Sequence, residues 1–198
     1  MMECKVIGIP GGIGTGKTFL LQHVKERYQM PVIVADEVGH LALQPGTSTY
    51  QRVVEAFGKK ILREDGSIDR GILGSLVFFD SEKRTLLNGL VHPFIEAYNK
   101  EQIAAILKEG SARFIFLEAA ILLESNLVTL CDEIWVICAD IELRSARLIE
   151  KRGYQKDKID AIIQTQLSEE EMKKRADHIL WNNGNLEDLD RQIEFLLV

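Results

Sequence analysis

Glycine, lysine and threonine meet in one stretch of this chain in an order suited to holding a polyphosphate: Gly11-Gly12-Ile13-Gly14-Thr15-Gly16-Lys17-Thr18. The stretch matches G-x-x-x-x-G-K-[ST] in full. Glycines are needed there because successive backbone N–H groups must turn inward where side chains would clash. Lys17 is a point charge for the β and γ phosphates of ATP, the Thr18 hydroxyl can ligate Mg²⁺, and a helix starting at Lys17 adds its positive N-terminal dipole. Gly12, Ile13, Gly14, Thr15, Gly16, Lys17 and Thr18 are therefore the donor-phosphate candidates.

Transfer of a phosphoryl group to an alcohol also needs a carboxylate to orient or accept the hydroxyl proton. Asp36 follows the apolar run Val32 to Ala35 and so stands at the carboxyl end of a strand, where open α/β sheets place their ligands. It can also cap a helix beginning at Glu37, and the two roles are compatible. Glu118 ends a second apolar run, Phe114 to Leu117, and would either reach Mg²⁺ through water or start a helix; Glu124 is a further metal-side candidate. Farther on, Arg144, Arg147 and Lys151 fall at i, i+3 and i+7, on one helix face, with Arg152 adjacent. A cationic stripe of this kind could stabilise charge on the group in transfer. Arg147 is assigned that role, whereas Arg144, four residues after Asp140, reads as half of a surface pair.

These residues need a scaffold that alternates strand and helix. Lys5 to Ile9, Val32 to Ala35, Arg113 to Leu117, Glu133 to Ala139 and His178 to Trp181 read as strands, each followed by helical sequence. That order implies right-handed crossovers and a doubly wound parallel sheet of the α/β class. Between Asp36 and Gly110 the pattern is helical throughout: a helix from Glu37, then Tyr50 to Phe57, Gly71 to Phe79, Ser81 to Leu90 and Pro93 to Leu107. Ser81 is expected as an N-cap and Pro93 in a first turn, with His92 held extended or in a turn before it. The chain thus reads as one domain, with a core at 1–36, 111–139 and 176–198, a helical lobe at 37–110, and a charged helical segment at 140–175 that breaks at Gly153. The last is either a lid or a plain solvated hairpin.

Composition excludes several classes. The 198 residues are 46% hydrophobic with a formal net charge of −6, so the overall field repels nucleic acid and anionic membranes. Three cysteines, Cys4, Cys131 and Cys138, make neither a CxxC pair nor a disulfide framework, which suits a cytoplasmic setting. No apolar run is long enough for a membrane span and no signal peptide is expected. The four histidines have no HxxxH or HExxH spacing for a protein-built transition-metal site.

Taken in order, the loop, Val34-Ala35-Asp36, Pro45-Gly46, Phe57-Gly58, Asp65-Gly66, Arg70, Leu87-Asn88, His92-Pro93, Leu122-Leu123-Glu124 and Asn182-Asn183-Gly184 resemble the bacterial dephospho-CoA kinases over nearly the whole chain. The resemblance implies a five-stranded sheet of order 2-3-1-4-5, a helical lobe for the acceptor and a lid around Arg147. It further implies transfer of phosphate from MgATP to the ribose 3′-hydroxyl of dephospho-CoA, the last step of coenzyme A synthesis, by a monomer or small homo-oligomer. Carried over by position, Asp36, Lys17 and Arg147 are catalytic, Asn182 and Gly184 lie near the ATP base, and Asp36, Arg70, Phe79 and His92 contact the acceptor. The metal-side residues are Thr18 and Glu118. Two departures stand out: Ala120 takes the place of a frequent proline, and the basic residue before the lid turn falls on either Lys151 or Arg152.

Two other readings share the loop. A nucleoside monophosphate kinase would present more arginines in the lobe, where Arg52, Arg63, Arg70 and Arg84 are spread out. A guanine-nucleotide switch finds a DxxG match in Asp36-Glu37-Val38-Gly39, but too close to the loop, and Asn99-Lys100-Glu101-Gln102 lacks the aspartate that guanine selection needs.

Overall fold

A computed structural model describes residues 4–198. The chain divides into two compact units, one of residues 1–33 with 106–198 and one of residues 34–105.

The first unit is organised by parallel strands. In chain order the sheet holds β1 (Lys5–Gly8), β2 (Val32–Val34), β3 (Phe114–Glu118), β4 (Glu133–Cys138) and β5 (His178–Trp181), arranged β2-β3-β1-β4-β5. The pairings of β1 with β3 and β4, and of β4 with β5, are parallel, with Gly8 opposite Leu117 and Cys138 opposite Trp181. Central strands here read as unbroken apolar runs because both faces are covered: Phe114 to Leu117 and Ile134 to Cys138 are buried without alternation. Helices α1 (Lys17–Arg27) and α9 (Leu186–Leu196) close one face. Leu20, Leu21 and Val24 from α1, and Leu189 and Ile193 from α9, pack with Phe116, Trp135 and Ile137 in one cluster. The first turn of α9 is fixed by a capping box between Asn185 and Asp188.

Two stretches of this unit differ from expectation. Beyond β3 no α-helix forms; two 3₁₀ turns, Leu122–Glu124 and Asn126–Leu130, carry the chain to β4. Glu118 therefore starts no helix. The 140–175 stretch breaks at Gly153 as expected, where φ +63 ends α6 (Ile141–Arg152) in the left-handed conformation that glycine adopts without penalty, but beyond the break it forms two helices, α7 (Lys156–Thr165) and α8 (Glu169–Lys174).

The second unit is helical: α2 (Gly39–Ala42), α3 (Ser48–Phe57), α4 (Arg70–Phe78) and the part of α5 (Ser81–Glu109) that falls within it. Val53, Phe57, Ile61, Ile68, Leu73 and Leu90 form its own core. Asp69 caps α4 by accepting the Gly71 and Ile72 N–H groups at 2.9 and 3.0 Å. At α5 the expectation of two helices fails, because the helix runs straight through Pro93. Its cap is Asp80, which accepts the Lys83 N–H at 3.0 Å, rather than Ser81, which lies inside the first turn. Pro93 withholds one N–H from the carbonyl of Gly89, but both residues face solvent, so that carbonyl can take water and Gly89 offers no Cβ to crowd the ring. Packing on either side keeps the helix whole: Leu87, Leu90 and Val91 join the core before the proline, and Phe94 stacks on Tyr98 after it. His92 is consequently helical and exposed.

Candidate active site

The phosphate loop leaves the carboxyl end of β1 and enters α1, with Gly14 at φ +81 and Gly16 at φ +98. Only glycine takes these angles freely. Thr15 is buried and folds back, its hydroxyl donating to the Gly12 carbonyl at 2.8 Å. Gly11 passes so close to β4 that a Cβ there would lie 2.7 Å from the Ile137 carbonyl oxygen. The Lys17 ammonium donates to the Gly11 carbonyl, across the loop, and Thr18 is exposed in the first turn of α1.

Several side chains from the 140–190 stretch grip this loop. Asn182, 7% exposed, donates from Nδ2 to the Thr15 carbonyl at 2.8 Å and stands where a Cβ on Gly16 would fall. Its own carbonyl accepts from Arg147 Nη2 at 2.8 Å. Arg147, Asn182 and Thr15 thus form a chain of contacts from α6 to the loop. The other terminal nitrogen of Arg147, Nη1, is buried and has no hydrogen-bond partner among the described residues. A buried cationic donor left unpaired is costly, so a site that will receive an anion is the natural setting for one.

Arg144 is no surface residue. Its side chain is 7% exposed and Nε donates to the Ile13 carbonyl at 2.9 Å. The expected partner, Asp140, gives way to Glu169, 3.6 Å from Nη1, which in turn pairs with Lys173 at 2.6 Å. Burial pushes the Arg144 guanidinium below its ordinary pKa while Glu169 opposes the shift; arginine stays charged throughout. Gln166, just beyond α7, accepts the Ile13 N–H at 2.9 Å. No periodicity or motif marks Gln166 or Glu169, whereas Arg144 was visible as the residue three before Arg147.

The metal-side carboxylates fall near the same loop. Glu118 ends β3 one residue beyond the Gly8–Leu117 pair, half-buried. Glu124 lines a cavity of about 250 Å³ together with Pro10, Gly11, Ala120, Thr165 and Gln166. Among the described residues no three His, Cys, Asp or Glu side chains are grouped to hold a metal ion. A cradle that admits no Cβ, an exposed threonine hydroxyl at the helix start and an unpaired buried guanidinium N–H together fit a nucleotide phosphate carrying its own Mg²⁺.

The sequence model of dephospho-CoA kinases matches residues 5–188. The chain belongs to the dephospho-CoA kinase family. A dephospho-CoA kinase of Bacillus cereus is 36% identical over 97% of this chain and 95% of its own length. Among solved structures, one from Thermus thermophilus superposes with a TM-score of 0.81 at 28% identity, covering 98% of this chain and 97% of its own. The dephospho-CoA kinase of Campylobacter jejuni gives a TM-score of 0.65 at 25% identity, covering 98% and 96%. The sheet order 2-3-1-4-5 that the resemblance implied is the one observed.

Asp36, Arg70 and Phe79, also family-derived candidates, lie in the 34–105 unit. Asp36 is exposed within a 3₁₀ turn, Ala35–Val38, whose N-cap position is Val34, so it is not the capping residue of a helix. Arg70 opens α4 and is exposed. Phe79, 90% exposed, packs edge-on against Phe78 at 4.7 Å between ring centroids. In the first unit, Gly184 lies tight against the Asp188 carboxylate of the α9 capping box. Lys151 and Arg152 are both exposed at the end of α6.

Proposed function

We propose that this chain transfers the γ-phosphate of ATP to the ribose 3′-hydroxyl of dephospho-CoA, giving ADP and coenzyme A. The reading is carried by a complete phosphate loop, anchored through Asn182 and Arg144, in a chain matched by the family from residue 5 to 188. In the step, the 3′-oxygen forms a bond to the γ-phosphorus as the bond to the β,γ-bridging oxygen breaks, and the hydroxyl proton passes to Asp36. The N–H groups of the loop and the Lys17 ammonium hold the β and γ phosphates; Lys17 exchanges the Gly11 carbonyl for phosphate oxygens to do so. Arg147 Nη1 supplies a donor for charge on the phosphoryl group in transfer. When bound, Mg²⁺ neutralises charge on the phosphate oxygens, and Thr18, with Glu118 beyond it, would hold it.

We assign Arg70, Phe79 and His92, in the helical lobe at 37–110, to the acceptor, Asn182 and Gly184 to the neighbourhood of the ATP base, and the 140–175 segment to a lid. The reaction is placed in the cytoplasm, where the free thiols of Cys4, Cys131 and Cys138 remain reduced, and in a monomer or small homo-oligomer acting without nucleic acid or membrane. No helix of the described residues is long and apolar enough to cross a membrane.

An acceptor panel tests the assignment. Purified protein with ATP and Mg²⁺ is offered dephospho-CoA, AMP, CMP or UMP, and products are weighed by mass spectrometry. Coenzyme A with stoichiometric ADP is expected. Formation of ADP only with a nucleoside monophosphate would overturn the acceptor, and nucleotide binding without phosphorylation of any acceptor would point to a switch.

A further inference from the structure

Gly12 and Gly14 occupy positions that the G-x-x-x-x-G-K-[ST] pattern leaves free, and the space they vacate is filled by one residue. A Cβ on Gly12 would lie 2.5 Å from Arg144 Nη2 and 3.1 Å from its Cζ; one on Gly14 would lie 2.9 Å from the Arg144 carbonyl oxygen. Between them, the Ile13 carbonyl accepts from Arg144 Nε at 2.9 Å. The Ile13 N–H is held in turn by Gln166. Both backbone polar groups of this loop residue are thus engaged by the 140–175 segment. Glu169 lies 3.6 Å from the guanidinium and is itself held by Lys173.

We infer that Arg144 is a positioning residue for the phosphate loop: it holds the Ile13 carbonyl away from the anion site, so that the N–H groups from Gly14 onward converge on the donor phosphates, and Gly12 is glycine to admit its guanidinium. A carbonyl turned the other way would set a negative dipole against the phosphates. Fixing it before the nucleotide arrives removes that reorganisation from the binding step, which is how preorganised dipoles gain affinity. The inference rests on the loop binding ATP and goes beyond that reading in making a residue of α6, about 130 positions away in sequence, part of the loop's geometry.

The test is a double-mutant cycle read by calorimetric titration of MgATP, with the KM for dephospho-CoA and the melting midpoint measured alongside. Arg144→Met, which keeps the packed stem but removes the donors, and Arg144→Ala each weaken ATP binding about tenfold. Gly12→Ala does the same by displacing the guanidinium, and the double variant Gly12→Ala/Arg144→Ala is no worse than either single change. The KM for dephospho-CoA stays within about twofold of the unmodified protein, because the effect is confined to the donor side. Additive losses of about a hundredfold, ATP binding by Arg144→Met equal to that of the unmodified protein, or equal rises in both substrate constants would each overturn the proposal. Should Arg144→Ala melt early, Arg144→Met against Gly12→Ala carries the comparison. A protein that binds ATP yet never phosphorylates dephospho-CoA would refute the acceptor assignment and leave this cycle readable.

Discussion

Arg147→Met should separate turnover from stability, because the two ends of the Arg147 guanidinium have opposite surroundings. Nη2 donates to the Asn182 carbonyl at 2.8 Å, and a hydrogen bond from a charged group contributes about 1.5–3 kcal/mol. Nη1 is buried without a partner among the described residues, which costs about 1–3 kcal/mol. Methionine removes both terms and retains the packed stem, so the net change in folding stability is within about 2 kcal/mol. For a chain of this size that corresponds to a melting shift of at most about 4–8 °C in either direction. The reaction loses much more. If Nη1 meets the phosphoryl oxygens as charge develops on them, its absence lowers kcat by about 10²–10³-fold. Melting is followed without nucleotide, and turnover by ADP release in the presence of saturating dephospho-CoA. A kcat within about threefold of the unmodified enzyme would remove Arg147 from the chemistry. A fall in kcat matched by a melting drop of about 10 °C or more would mean that Arg147 is structural and that the unpaired nitrogen is irrelevant to transfer.

Asp36→Asn should lower kcat by about two to four powers of ten; unchanged turnover would exclude it as the base. A stability prediction concerns Asp190, which joins α9 to α1 by accepting from Tyr28 at 2.7 Å and contacting His23 at 2.5 Å and Arg27 at 3.1 Å. Burial alone would raise its pKa, but hydrogen bonds from His23 and Tyr28 and the charge of Arg27 outweigh it and hold the carboxyl below the usual range. A carboxylate depressed in this way contributes stability that is fully present above its unfolded value, about 3.9, and is lost as pH falls through the folded value. Asp190→Asn should therefore cost about 1–3 kcal/mol at neutral pH and progressively less on acidification below about pH 4, as read by urea unfolding. A gap that is constant or widens in acid would contradict the sign of the shift.

Strand positions were legible because central strands of a parallel sheet must be apolar on both faces, and runs such as Phe114 to Leu117 or Ile134 to Cys138 admit little else. Elements whose limits depend on competition were not. Pro93 carries a strong local signal to begin a helix, but it was outweighed by side chains on both flanks that belong to one packed helix, and an exposed Gly89 carbonyl made the lost bond tolerable. Asp80 and Ser81 are both good caps, and neighbouring candidates differ only in the backbone angles the chain adopts there. After β3 the stretch Ala120 to Leu123 has helix-forming composition, yet the chain turns there in 3₁₀ geometry, with Leu122 and Leu123 buried and the Leu123 carbonyl taken by Arg175 at 2.9 Å. That partner is 52 residues away, and no local pattern could reveal it.

The same reasoning explains why the loop itself was legible and its supports were not. A motif declares itself when the chemistry of a ligand dictates consecutive residues, as phosphate does for Gly11, Gly16, Lys17 and Thr18. Arg144, Gln166 and Asn182 act on the backbone of Ile13 and Thr15, and a carbonyl or N–H accepts a partner from any direction and from any point in the chain. Helical spacing placed Arg144 on the face of Arg147 but could not say whether that face met water or protein. Its burial is decided by Gly12 and Gly14, whose missing side chains leave the space. Those glycines are therefore the sequence trace of Arg144: one at a free position of the motif signals either a left-handed backbone, as at Gly14, or a neighbour that needs the volume, as at Gly12, whose angle is ordinary. Gly12 is the more telling of the two, since the nearest atoms a side chain there would meet all belong to the guanidinium, and Gly12→Ala is expected to become harmless once that guanidinium is gone.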